Sequence, residues 1–191
     1  METLKGLKSE LAKPIDKVLY TRDQINQRVA QLGEEITRDY QGKDLLVICV
    51  LKGSLYFTAD LIRQIKVPLS LDFMAVSSYG QSTRTSGIAR ITKDLDEDIE
   101  GRHVIIIEDI LDTGLTLDYL IKVLSLRNPA DIKICTFLNK PSRRVKKDIV
   151  PHYVGYEIPE LFVVGYGMDY EHRYRHLPFI CTFKPEYVPQ D

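Results

Sequence analysis

Cysteine is scarce in this chain. Cys49, Cys135 and Cys181 stand far apart, each inside an apolar, strand-like segment. An odd set without paired spacing argues against a disulfide framework or a structural zinc site and predicts buried, reduced thiols. An excess of either charge sign is also lacking, because acids and bases nearly cancel to a formal net charge of −1 while 28% of residues are charged. Proteins that bind nucleic acids or membrane surfaces carry a basic footprint, so no partner of either kind is expected. No apolar run approaches the roughly 20 residues of a membrane span. The polar N-terminus has no signal-peptide core, and a cytoplasmic protein is the expectation. Repeats and low-complexity linkers are absent, as is any G-x-G-x-x-G after a strand, which argues against a dinucleotide-binding dehydrogenase. With 44% hydrophobic residues, a chain of 191 suits one domain with a sizeable core.

What is present alternates in type. Thr21 caps a helical pattern running to about Tyr40, with Ile25, Val29, Leu32 and Ile36 on one face. Gly42 ends it, and Leu45–Leu51 (LLVICVL) reads as a central strand. A helix over Ser54–Ile65 and an alternating strand over Leu69–Ser78 follow. Further strands are expected at His103–Ile110, Ile132–Asn139 and Leu161–Tyr166. The β–α–β alternation predicts an α/β fold with a doubly wound, mostly parallel sheet. The core spans about 21–170, and the chain ends, about 1–20 and 171–191, form a small hood over the sheet's carboxyl edge. Tyr79–Lys93 is long, polar and poor in core residues, so it reads as a lid loop or a loose hairpin.

The segment VIIIEDILDTGLTL, residues 104–117, carries the chemistry. Four β-branched residues make a strand buried on both faces, and Glu108 and Asp109 mark where it leaves the core. Asp112-Thr113-Gly114-Leu115-Thr116 then forms a hydroxyl-rich turn opening a helix with Leu117, Leu120, Ile121 and Leu124 on its apolar face. Carboxylates at a strand end can accept ribose hydroxyls or bind them through Mg²⁺. Amides at a helix start suit a phosphate dianion, and Gly114 lets the backbone approach closely. Such sites lie beyond the carboxyl ends of parallel strands. The plainer alternative is an ordinary strand–turn–helix with Asp112 as N-cap and the acidic pair solvated.

VIIIEDILDTGLTL resembles the phosphoribosyl pyrophosphate signature of type I phosphoribosyltransferases. LKGS at 51–54, SSYG at 77–80, FLNKPSRR at 137–144 and FVVGYGMDYEHRYR at 162–175 are similar to the hypoxanthine-guanine branch, and the landmarks run from about Val18 to Phe183. The resemblance implies a Mg²⁺-dependent purine-salvage transferase. It would take hypoxanthine or guanine with phosphoribosyl pyrophosphate to IMP or GMP and pyrophosphate, and would work as a homodimer or homotetramer.

By the same resemblance, Glu108 and Asp109 hold the ribose hydroxyls and the first metal, and Asp112–Thr116 cradles the 5-phosphate. Asp112 is the general base. Lys52-Gly53, through a cis peptide, together with Ser78, Tyr79 and Arg175, contacts pyrophosphate. Ile110, Lys140, Phe162, Val163 and Asp169 surround the purine: Lys140 donates to its exocyclic oxygen, Phe162 stacks on it, and Asp169 is tied through water to a second Mg²⁺. Leu115 stands where some relatives carry a lysine. A xanthine- or guanine-preferring transferase and a non-catalytic nucleotide- or RNA-binding regulator of the same fold are the alternatives. The basic run after Lys140 (Arg143, Arg144, Lys146, Lys147) reads as a solvated face, and the His172/His176 pair, spaced for one helix face, lacks a third ligand.

Overall fold

The computed structural model describes residues 7–78 and 89–188. Its first elements are a short helix α1 (Ser9–Ala12), strand β1 (Ile15–Tyr20) and helix α2 (Arg22–Asp39). Thr21 caps α2 in a full capping box: its hydroxyl accepts from the Gln24 amide while the Gln24 side chain accepts from the Thr21 amide. Then come β2 (Leu45–Leu51), α3 (Leu55–Gln64), β3 (Leu69–Ser78), β4 (Ala89–Lys93), β5 (His103–Leu111), α4 (Leu115–Ser125) and β6 (Asp131–Asn139). The chain closes with β7 (Tyr153–Glu157), β8 (Val163–Val164) and β9 (Ile180–Phe183).

Six strands form the central sheet in the order β4-β3-β2-β5-β6-β7. All neighbours are parallel except β4, which runs antiparallel on the β3 edge. The expected apolar runs lie at its centre because both faces are covered. Leu45 and Val47 of β2 pack with Ile25, Val29, Phe57 and Leu61 of α2 and α3. Leu46, Ile48 and Val50 pack with Leu117, Leu120 and Leu124 of α4 on the other face. This two-sided burial is what a doubly wound sheet requires. All three cysteines are buried and unpaired. Among the described residues no helix is long and apolar enough to cross a membrane.

One expectation needs correcting. Leu161–Tyr166 is not a strand of the central sheet. Only Val163–Val164 is extended, and it pairs in a separate three-stranded antiparallel sheet ordered β1-β9-β8. Gly165 and Gly167, at φ +98° and +103°, turn the chain sharply after two residues. The outer position beside β6 is taken by β7, whose Gly155 lies so close to Phe137 that an added Cβ would be 2.3 Å from its carbonyl oxygen. For Tyr79–Lys93 the lid-loop reading gives way at its end to the hairpin alternative, since Ala89–Lys93 returns as β4, antiparallel to β3. Tyr79 lies outside the described residues, as does most of the expected lid.

Candidate active site

Strand β5 delivers the acidic pair to the carboxyl edge of the sheet. Glu108 is buried, not solvated, and burial together with its neighbour Asp109 pushes its carboxyl well above the ordinary range. Burial also raises Asp109, to about 6, against the opposing pull of the Ile110 amide at 2.8 Å and of Arg175. A short turn after β2 lies directly against this carboxylate: a Cβ on Gly53 would sit 1.8 Å from Asp109 Oδ2. A side chain at position 53 would have to displace the Asp109 carboxylate. The cis peptide near this turn joins Leu51 to Lys52, one bond earlier than expected at Lys52-Gly53. The LKGS motif alone does not say which of its peptide bonds is turned. Lys52 is exposed, and Ser78 closes β3 opposite Ala89.

After β5 the chain passes Asp112 and Thr113 to Gly114, which caps α4 at φ +81°. The N-cap is therefore Gly114, not Asp112, and the Asp112 side chain is free for other contacts. Its Oδ1 lies 3.3 Å from Arg143 Nε, an approach without hydrogen-bond alignment, so this buried oxygen has no donor among the described residues. The opening amides of α4 have no acceptor inside the helix. A cleft of about 320 Å³ runs along this turn, lined by Gly53, Glu108–Gly114, Thr116, Leu117, Asp169 and Arg175. Leu115 points outward and is exposed.

A second cavity, about 540 Å³, shares Asp109, Ile110, Asp112 and Asp169 with the first. Lys140, Arg143, Glu160, Phe162, Val163 and Met168 are also in its wall. Lys140 stands at the exit of β6, only 7% exposed, and its ammonium makes no hydrogen bond among the described residues. Burial holds its pKa below the usual lysine range, with Asp112 acting against that shift. Phe162 is held edge-on by Tyr170 and tilted against Phe183. Opposite, Asp169 is paired with Arg175 at 2.6 Å and accepts from the His172 amide at 2.9 Å, while Arg175 Nη1 donates to the Gly167 carbonyl at 2.5 Å. The segment around His172 and His176 is a chain of turns, so these histidines share no helix face.

The joined cavities thus gather Gly53, Glu108, Asp109, Ile110, Asp112, Thr113, Gly114, Thr116, Lys140, Phe162, Val163, Asp169 and Arg175. The basic run is corrected in part. Arg143 bridges Asp112 and Glu160 at 3.3 Å each, Lys146 pairs with Asp118, and Arg144 is bound to backbone. Only Lys147 fits a plain solvated face. No periodicity separates Arg144 from its neighbours, so sequence reasoning missed it. Among the described residues no three acids, histidines or cysteines make a self-sufficient metal cage. Mg²⁺ needs none: it takes one or two carboxylates and fills its octahedron with water and substrate oxygens. Asp109 and Asp169 on one cleft wall, beside Glu108, fit that pattern.

The phosphoribosyl transferase domain profile matches residues 18–171. The hypoxanthine-guanine phosphoribosyltransferase of Bacillus subtilis (strain 168) is 53% identical over 171 residues, covering 90% of this chain and 94% of its own. That of Mycobacterium tuberculosis (strain H37Rv) is 52% identical over 177 residues, covering 90% and 87%. Among solved structures, a hypoxanthine phosphoribosyltransferase from Staphylococcus aureus matches with a TM-score of 0.90 at 46% identity, over 96% of this chain and 100% of that one. The Trypanosoma cruzi enzyme in complex with the product IMP matches with a TM-score of 0.84 at 40% identity, over 91% and 97%.

Proposed function

The chain belongs to the phosphoribosyl transferase family, and from that premise we propose that it joins a 6-oxopurine to the ribosyl carbon of phosphoribosyl pyrophosphate. Hypoxanthine would give IMP, guanine would give GMP, and pyrophosphate would leave. The observation that carries this reading is the pair of confluent cavities. One is built of amides and carboxylates for a sugar phosphate, the other of an aromatic face and a buried lysine for a base, and Asp112 stands in the wall of both.

The 5-phosphate sits on the amides between Asp112 and Thr116 at the positive end of α4. The ribose hydroxyls face Glu108 and Asp109. The purine lies on Phe162 between Ile110 and Val163, where the Lys140 ammonium donates to its exocyclic oxygen. Adenine, whose amine cannot accept that bond, leaves a buried donor unsatisfied and is rejected. As the ring nitrogen bonds to the anomeric carbon, the bond to the pyrophosphate oxygen breaks and the ring proton passes to the Asp112 carboxylate. Arg175, with the Gly53 turn and the end of β3, receives the departing pyrophosphate. Glu108, Asp109 and Asp169 would hold Mg²⁺, which when bound neutralises charge on pyrophosphate. Water must be kept from the cationic ribosyl centre, and the Tyr79–Lys93 segment is our candidate for that cover.

We place the enzyme in the cytoplasm, in keeping with its three reduced thiols, and as a homodimer or homotetramer, in keeping with exposed Leu55, Tyr56 and Leu71. The test offers hypoxanthine, guanine, xanthine and adenine separately with phosphoribosyl pyrophosphate and Mg²⁺. Nucleotide formation is followed by absorbance. Turnover of hypoxanthine and guanine without adenine is expected, and absence of turnover with both 6-oxopurines would remove the reading.

A further inference from the structure

Arg144 lies outside both cavities, yet its guanidinium is spent on the loop between them. Nε donates to the Asp112 carbonyl at 2.9 Å and Nη2 to the Leu111 carbonyl at 3.2 Å. The fork is anchored by the Asn139 side chain at 2.6 Å and the Ile149 carbonyl at 2.5 Å. The next two residues continue the pattern, since the Val145 and Lys146 amides both donate to the Thr113 carbonyl at 3.0 Å. Three consecutive carbonyls, Leu111, Asp112 and Thr113, are therefore all drawn to the 140–146 side.

In a planar trans peptide the C=O and the following N–H point in opposite directions. Tying back those three oxygens turns the amides of Asp112, Thr113 and Gly114 the other way, and these residues line the 320 Å³ cleft. The amides of Thr113 and Gly114 donate to nothing among the described residues. A carbonyl facing the same cleft would repel an anion. Lysine cannot reproduce the fork, because it offers one compact ammonium where Arg144 uses three nitrogens along a plane.

We propose that Arg144 is a positioning residue that holds the phosphate loop with its amides facing the bound anion. This rests on the transferase reading for its ligand, so its test separates the two. Arg144→Lys and Asn139→Ala are compared with the wild-type chain, folding being checked by circular dichroism. Ribose 5-phosphate affinity is measured by calorimetry and both KM values by nucleotide formation.

In folded Arg144→Lys, affinity for ribose 5-phosphate and KM for phosphoribosyl pyrophosphate should worsen about tenfold or more, while KM for hypoxanthine stays within about threefold. Asn139→Ala should move the same quantities in the same direction by a smaller factor. Unchanged ribose 5-phosphate affinity, or equal losses for both substrates, would overturn the proposal. Where Arg144→Lys fails to fold, Asn139→Ala decides alone by the same criterion. A wild-type chain that binds ribose 5-phosphate but forms no nucleotide would remove the transferase reading and leave the loop assignment to the binding data. One that binds no ribose 5-phosphate would overturn the loop assignment itself.

Discussion

Asp109 carries a burial cost in the folded chain. Unfolded, its carboxyl ionises near the ordinary value of about 4; folded, burial raises it to about 6. Between those limits the folded chain holds a proton the unfolded chain has lost, so this residue's contribution to stability falls as pH rises across the window. Below about 4 both states are protonated and the penalty vanishes; above about 6 it is complete. Asp109→Asn keeps the oxygen that accepts from Ile110 and removes the charge. Its melting temperature should exceed that of the wild type at pH 7.5, with the gap closing toward pH 4, while ribose 5-phosphate binding weakens. A constant gap across that range, read by calorimetry, would contradict the burial argument. Asp112 is different, because its Oδ1 accepts no hydrogen bond among the described residues and meets only the partly exposed Arg143, an ion pair of small worth to folding. Asp112→Asn should lower kcat by about 10²–10⁴-fold with little change in melting temperature, as loss of a general base does. The residue types at 108, 109 and 112 were legible in the sequence from the strand-end pattern. Arg144 was not, because its partners are backbone carbonyls reached across a loop, and such bonds leave no periodic trace.

Among the elements, α2 and α3 cross at a point set by one residue. A Cβ on Gly33 would stand 2.3 Å from Gln64 Cβ and 2.9 Å from the Gln64 carbonyl carbon. Neither is a flexible tip that could yield. Alanine in a helix interior is favoured over glycine by about 1 kcal/mol, whereas overpacking against backbone costs about 1–3 kcal/mol. The second effect wins, so Gly33→Ala should lower the melting temperature by several degrees and leave both KM values near wild type, since α2 touches neither cavity. An unchanged or raised melting temperature would mean that the helices separate freely. The same elements show what a sequence displays at this scale. β2 and β5 were legible because burial on both faces demands continuous apolar runs, β6 from an apolar stretch broken by Lys133 and Thr136, and α2 because its cap and 3.6-residue stripe agree. β7 was missed because Gly155 breaks its five residues, and β4 because ARITK on a sheet edge has no reason to be apolar. β8 was overextended because FVVGY reads as core while the two positive-φ glycines that fold it back carry no hydrophobic signal.

At the scale of the whole molecule the first cleft lies where three distant segments converge. The turn after β2, the end of β5 and the turn after β8 meet through glycines: Gly53 lies under Asp109, and a Cβ on Gly167 would come 1.9 Å from the Gly53 carbonyl. Gly167 belongs to the turn joining the small β1-β9-β8 sheet to Asp169 and Arg175, so this contact couples that sheet to the carboxyl edge of the large one. Both halves of the site depend on it, because Gly167 also receives Arg175 on its carbonyl and gives its amide to the Arg175 carbonyl. Gly167→Ala meets two obstacles at once, a backbone clash and a φ of +103° that L-residues rarely adopt. Strain of this kind costs about 1–3 kcal/mol, too little to unfold a domain of this size but enough to push the turn off Gly53. The variant should therefore stay folded with a lowered melting temperature, while KM rises for both phosphoribosyl pyrophosphate and hypoxanthine. Arg144→Lys loosens only the phosphate loop and should raise the first of these alone. Parallel kinetics on the two variants separate a fault in the joint between the sheets from a fault in the loop, and identical patterns would mean that the three segments do not move independently.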